Sequence, residues 1–353
     1  MTGSVVTRGA TLMRIMLTGG AGYIGSVMAR YFLDRGFDVV VLDRLFFGIE
    51  PVRGLLGRKR YMLIHDDVRW FDPSILGSVD VVVDMAALAN DPAGELNPEY
   101  TMDINYRGRV RVAKLAKKHG VERYIYFSSC SVYGRQEGVV DETSPTNPLT
   151  TYARAALLGE KEVLPLASPQ FIVTVVRPAT VYGYSPRLRL DLVVNTMAYT
   201  LYTEGRVKVL GGEQYRPLVH VKDVARAIEA IIEAEPEKVN GEVFNVGSDE
   251  QNYRIIDLAK EVCRALGHDP GECIELRPQD VDVRSYRVSF AKIRERLGFR
   301  PRYTIADGAR EVWKALEEGR VKPSTRNWTV KRYQELLERY PDILAKPLNI
   351  VLP

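Results

Sequence analysis

The sequence predicts an α/β fold built on a doubly wound parallel sheet, with a smaller mixed α/β region beside it. Three observations predict this. Apolar runs rich in Val, Ile and Leu recur through the first half of the chain, nearly continuous, as strands buried on both faces are. Helical patterns separate several of them, and that alternation implies parallel strands with helices on both faces. The first run passes directly into a glycine-rich turn that opens a helix.

The elements follow in order. Apolar runs ending near Gly19, Asp43, Asp66, Met85, Ser129 and Arg177 read as strands. Helical spacing covers Tyr23 to Arg35, Pro98 to His119 and Tyr152 to Leu166. The first junction is the most informative, M-R-I-M-L-T-G-G-A-G-Y-I-G from Met13 to Gly25. Gly19 can take the positive φ of a tight turn, Gly22 lets backbone approach a pyrophosphate, and Gly25 lets the helix pack close to the strand. Tyr23, Ile24 and Gly25 open the helix, whose N-terminus offers N–H groups and partial positive charge to phosphates. Asp43 closes the next strand, about 20 residues on, where a carboxylate accepts ribose hydroxyls and repels a 2′-phosphate. The spacing is G-x-x-G-x-x-G rather than G-x-G-x-x-G. With its strand, helix and Asp43 it predicts a Rossmann-like domain that binds NAD rather than NADP.

Beyond about Pro178 the rhythm changes and Pro and Gly punctuation thickens. Residues 13–180, with returning segments within 218–247, are expected to form the NAD-binding domain. Residues 181–353 are expected to form mainly a discontinuous substrate-binding region. V-F-N-V-G (Val243 to Gly247) reads as a further core strand, and Phe290 to Leu297, Ile305 to Glu318 and Thr329 to Tyr340 as helices.

The composition narrows the function class. Of 353 residues, 46% are hydrophobic and 27% charged, as in soluble globular proteins. A net charge of +4 from 49 basic and 45 acidic residues suggests neither a nucleic acid nor a membrane partner. Cys130, Cys263 and Cys273 form no C-x-x-C pair and have no metal-ligand spacing, so unpaired thiols in a reducing compartment and no metal are expected. No apolar core marks a signal peptide, and the expected location is the cytoplasm.

Three more segments carry chemistry: Y-I-Y-F-S-S-C-S-V-Y-G (Tyr124 to Gly134), T-Y-A-R-A-A-L-L-G-E (Thr151 to Glu160) and V-R-P-A-T-V-Y-G (Val176 to Gly183). A tyrosine held over nicotinamide can take a sugar hydroxyl's proton while hydride leaves the same carbon, and a nearby serine can hold that oxygen. With T-G-G-A-G-Y-I-G, D-V-V-V-D-M-A-A, I-N-Y-R-G, Y-R-P-L-V-H-V-K-D-V-A and D-V-R-S-Y, the chain resembles the extended short-chain dehydrogenase/reductases that act on nucleotide sugars. The resemblance runs from Met13 to about Leu316. It implies Tyr152 as base with Ser129 as partner. It implies Asp67 and Val68 at the adenine, and Ala86, Ala87, Leu88, Ser128 and Pro178 along the cofactor. It implies Ser129, Cys130, Ser131, Asn195, Arg216 and Arg284 at the substrate, the two arginines on its pyrophosphate. Asn105 would steady the fourth strand and Asp84 would cap a turn. The helices at Pro98 to His119 and Tyr152 to Leu166 would pair into a homodimer.

One position departs from the resemblance. The family's Y-x-x-x-K places a lysine where this chain has Ala156. That lysine holds the nicotinamide ribose and lowers the tyrosine's pKa from its ordinary ~10. Arg154 and Lys161 point off the required helix face. Alanine here reads either as an engineered replacement, which the intact flanking residues favour, or as a natural variant with reduced or altered activity. Cys130 and Ser131 stand where the related 4,6-dehydratases carry Asp and Glu, and the related decarboxylases carry Glu at the second position. Small residues at both match the 4-epimerases. The expected activity is therefore NAD-dependent C4 epimerisation of a UDP- or dTDP-hexose. A dehydratase or 4-reductase is the alternative within the family, and a catalytically silent NAD- or nucleotide-sugar-binding protein is the alternative outside it.

Overall fold

The computed structural model describes residues 7–8, 11–278 and 285–345. Its core is one seven-stranded sheet. The strands are β1 (Arg14–Thr18), β2 (Asp38–Asp43), β3 (Tyr61–His65), β4 (Val81–Asp84), β5 (Arg123–Phe127), β6 (Ile172–Pro178) and β7 (Glu242–Val246). Their spatial order is β7-β6-β5-β4-β1-β2-β3, and every neighbouring pair is parallel. Strand order reverses between β1 and β4, and the carboxyl ends there open a crevice where ligands of such sheets bind. β6 is buried along its whole length, and β4 likewise, which is why their sequences run apolar without alternating.

Helices α1 (Tyr23–Asp34), α2 (Arg109–Lys118), α3 (Thr151–Val163) and α4 (Val193–Glu204) follow in chain order. Thr150 caps α3, accepting a hydrogen bond from the Ala153 N–H at 3.1 Å. The expected helix from Pro98 to His119 is subdivided: an α turn at Pro98–Met102, a π-helical segment at Asp103–Gly108, then α2. The faces expected to be open for pairing are largely covered. Val110, Val112, Ala113 and Ala116 of α2 and Ala153, Ala155, Ala156 and Val163 of α3 are buried, while Leu158 is exposed.

The second half adds α5 (Val221–Glu233), α6 (Ile255–Ala265), α7 (Ile305–Glu317) and α8 (Thr329–Arg339). It also adds small sheets, among them the parallel pair Thr180–Tyr182 and Tyr215–His220. Val194, Leu201, Leu258, Val262 and Ala309 meet in a core separate from those on the faces of the large sheet. Two of the three cysteines are paired, against the expectation of unpaired thiols. α6 ends at Ala265, the chain turns through Gly267 at φ 79°, and the short helix Pro270–Cys273 brings Cys273 back onto Cys263 as a disulfide. Nine intervening residues hide that pairing from a search for C-x-x-C. It removes the cysteine argument for a reducing compartment. Among the described residues no helix is long and apolar enough to cross a membrane.

A buried fork ties α3 to the sheet. Arg177 of β6 donates from Nε and Nη2 to the Glu160 carboxylate at 2.9 and 2.6 Å, and from Nη1 to the Tyr133 hydroxyl at 2.9 Å. Both charged partners are nearly inaccessible, so removing one strands the other in low dielectric. Glu160→Gln should cost about 3–5 kcal/mol, read as a lower urea midpoint. A midpoint equal to the parent's would show that the pair is not what fastens α3.

Candidate active site

A cavity of about 1140 Å³ follows the crevice from the glycine turn to the second region. At one end β1 delivers the turn. Gly19 has φ 68°, and its N–H donates to Leu42 O at 2.8 Å, fastening the turn to β2. A Cβ on Gly25 would lie 2.4 Å from Gly19 O and 2.5 Å from Gly20 Cα, so only glycine permits this helix–turn contact. No side chain caps α1, whose N-terminus begins at Gly22 against the cavity. Such an end suits a pyrophosphate. Tyr23 is fixed from behind, its hydroxyl donating to Gly183 O at 2.6 Å.

Asp43 lines the same end. Its carboxylate accepts the N–H of Ala21 at 2.9 Å and of Leu45 at 2.7 Å. Burial pushes its pKa up, and these two N–H groups draw it back down. The adjoining Asp67 is 2% exposed and engaged by the Arg69 fork at 2.9 Å, with Arg44 at 3.5 Å. Tyr333 of α8 packs edge-on against Phe46 and Phe47, closing this end with a helix that the sequence showed only as a helix.

Among the described residues, the Ser128 hydroxyl and Nε and Nη1 of Arg187 are among the buried polar atoms with no hydrogen-bond partner in the protein. Both residues line the cavity. Arg187 lies flat over Phe47, 3.7 Å from its centroid, and burial together with the neighbouring Arg189 makes its protonation harder. An anion would relieve that cation. With the uncapped α1 and Asp43, these groups fit a dinucleotide.

Further along, Ala86, Ala87, Leu88, Ser129, Ser131, Tyr152, Pro178 and Arg216 all line the cavity. Val68 lines it beside Asp67. Ser129 lies just beyond β5 and its hydroxyl donates to Ser131 Oγ at 3.1 Å. Burial pushes the Tyr152 phenol up, and Asp91 adds to this. Arg109, Arg189 and a hydrogen bond with Ser129 pull it down. Asn105 pins the path after β4, accepting from Leu88 N at 2.8 Å and donating to Leu88 O at 3.1 Å.

Several expected site residues are placed elsewhere. Asn195 is fully buried. It accepts from Gly183 N at 2.9 Å and donates to Arg189 O at 2.9 Å, so its amide is spent on the loop before α4 and not on a phosphate. Cys130 is 1% exposed and its thiol donates to Arg177 O at 3.2 Å, behind the cavity wall rather than beneath a sugar. Burial pushes that thiol up, which makes it a poor nucleophile. Asp84 caps no turn. It accepts from Thr18 and Tyr124 and pairs with Arg109 Nε at 3.2 Å. Ala156 is buried outside the cavity lining. Arg284 lies outside the described residues. Sequence reasoning missed Arg109, Arg187 and Arg189. The run P-R-L-R-L-D from Pro186 to Asp191 was the available signal for the last two.

Comparison with known proteins agrees with this geometry. Residues 15–247 match the model of the NAD dependent epimerase/dehydratase family. The chain belongs to that family. A dTDP-glucose 4,6-dehydratase of Streptomyces griseus is 30% identical over 83% of this chain and 91% of its own length. A UDP-glucose 4-epimerase of Mycolicibacterium smegmatis is 29% identical over 84% and 96%. Among solved structures, a dTDP-glucose 4,6-dehydratase from Streptomyces venezuelae with NAD and TYD bound superimposes with a TM-score of 0.75 at 25% identity, covering 87% of this chain and 98% of that one. The family is an enzyme family whose cofactor is NAD.

In isothermal titration the chain should bind NAD more tightly than NADP, and Asp43→Ala should weaken NAD by about 1.5–3 kcal/mol, the scale of charged hydrogen bonds. Equal affinities of the parent for both dinucleotides would remove Asp43 from the ribose.

Proposed function

We propose that the chain interconverts the C4 epimers of a UDP- or dTDP-hexose through a 4-keto intermediate. Tyr152 takes the proton of the 4-hydroxyl, and Ser129 hydrogen-bonds the same oxygen. NAD, held at the glycine turn and Asp43, would supply the hydride acceptor and donor for C4. The keto sugar turns in the cavity before the hydride returns, and Tyr152 then gives its proton back. Arg216, at the far end of the lining, anchors the substrate pyrophosphate. In this reading residues 13–180 with segments from 218–247 hold the cofactor and residues 181–353 mainly the substrate.

The observation that carries this over dehydration is the pair after Ser129. Removing water across C5 and C6 needs an acid and a base beside the sugar. Cys130 is turned into the protein with its thiol on Arg177 O, and Ser131 offers only a hydroxyl. The carboxylates near Tyr152 are engaged: Asp191 takes both arms of the Arg189 fork at 2.9 and 3.0 Å, and Asp91 accepts from the Thr150 hydroxyl at 2.5 Å.

The test is conversion between UDP-glucose and UDP-galactose, repeated with the dTDP sugars, with the parent and Tyr152→Phe compared. The parent should produce the 4-epimer. The variant should lose about 10²–10⁴-fold in rate, the range of general acid–base catalysis, while still binding NAD. A parent that binds NAD and sugar nucleotide yet turns over none of them would favour the silent-binder reading that Ala156 raises.

A further inference from the structure

A phenol that must release its proton inside a protein needs a cation held near it. Tyr152 is half-buried, and the side chain one helical turn on is the methyl group of Ala156. A cation reaches the same place from another element. Arg109 is the first residue of α2, immediately after the π-helical segment Asp103–Gly108. A π turn inserts an extra residue and re-aims the side chains that follow, and such segments cluster at functional sites.

The Arg109 guanidinium lies beneath the carboxyl ends of β4 and β5. Its Nη2 donates to Asp84 O at 2.6 Å and Phe127 O at 2.8 Å, and Nε stands 3.2 Å from the Asp84 carboxylate. The same group stacks 3.9 Å from the centroid of Tyr126, whose hydroxyl donates to Ala156 O at 3.3 Å. Arg109 is therefore one ring away from the backbone of residue 156. It is 2% exposed and lines the cavity together with Tyr152 and Ser129. Fixed on several acceptors, it keeps its place without a reorganisation cost when charge develops nearby.

We propose that Arg109 is the positioning cation of the Tyr152 site, supplying from α2 the charge that the residue-156 side chain does not. The inference rests on Tyr152 as the proton acceptor. It makes Asp84, Arg109 and Ala156 one coherent arrangement: the carboxylate fixes the arginine, the arginine favours the phenolate, and the small side chain at 156 needs no charge of its own. The charged groups facing Tyr152 are Asp91 from the helix at Asp91–Gly94, Arg109 from α2, and Arg189, itself paired with Asp191. The Tyr126 phenol lies between Arg109 and α3, and burial holds it neutral. Asp91 raises the phenol and the two arginines lower it, so removing one arginine has a defined sign.

The test reads Tyr152 directly, by ultraviolet difference titration of the NAD-loaded protein against Tyr152→Phe. Asp84→Asn combined with Arg109→Gln removes both buried charges while keeping polar groups of similar shape. Thermal unfolding shows whether it folds. Its Tyr152 should titrate at least one pH unit higher than in the parent, a tenfold loss of phenolate at any lower pH, and Arg109→Lys should restore most of the difference. Asp84→Asn alone keeps the cation without its counter-charge and should move the phenol the other way. A folded double variant that titrates as the parent does overturns the proposal. If that variant does not fold, an upward or absent shift in Asp84→Asn overturns it. A shifted phenol in a protein that epimerises no sugar would keep Arg109's role and refute the epimerase reading instead.

Discussion

The carboxylate of Asp84 holds together the point on which the structure turns. It sits fully buried at the end of β4, where strand order reverses. It accepts from Thr18 at the end of β1 and from Tyr124 of β5, and it pairs with Arg109 of α2. Three neighbouring strands and one helix therefore meet at a single side chain. Thr18 passes the restraint on, accepting the N–H groups of Met85 and Ala86 at 3.0 and 3.1 Å as the chain leaves β4 for the cavity wall. A buried carboxylate is costly unless it is hydrogen-bonded and paired, and here two hydroxyls donate to it and a guanidinium balances its charge.

That floor organises what lies above it. The glycine turn, the residues from Ala86 to Leu88, and Ser128 and Ser129 all leave strand ends next to Asp84, so their positions relative to one another are set by one network. Tyr152 comes from α3, which the Arg177–Glu160 pair locks to β6. Tyr152 and Ser129, the proposed base and its partner, are thus held from two independent fixtures. The second region adds Arg187, Arg189 and Arg216 to the cavity lining, and α8 returns from late in the described chain to line the end near Asp43.

Much of this was legible in the sequence because it rests on local signals. Continuous Val and Ile runs marked six strands within a residue or two of their ends, and the spacing of Gly19, Gly25 and Asp43 singled out residues that the fold gathers at one end of the cavity. Their motifs singled out Tyr152 and Ser129, and both line the same cavity. What was hidden depends on contacts distant in sequence. Asn195 reads as a substrate ligand until Gly183 and Arg189 are seen to use up its amide. Asp84 reads as a turn cap until Arg109, 25 residues on, is seen beside it. Cys263 and Cys273 read as lone thiols until the turn at Gly267 folds one onto the other. Ala156 read as an engineered replacement or a natural variant, because nothing in the local pattern shows Arg109 lining the same cavity as Tyr152 from a different helix.

In the proposed reaction hydride leaves C4 and returns to C4. The most direct measurement follows a sugar nucleotide carrying deuterium at C4, with products separated and analysed by mass spectrometry and NMR. The expected product is a 4-epimer of unchanged mass with deuterium still on C4. Loss of water with deuterium moved to C6 would contradict it and make the chain a dehydratase. A 4-keto product without deuterium, accumulating with reduced cofactor, would contradict it in favour of an oxidoreductase.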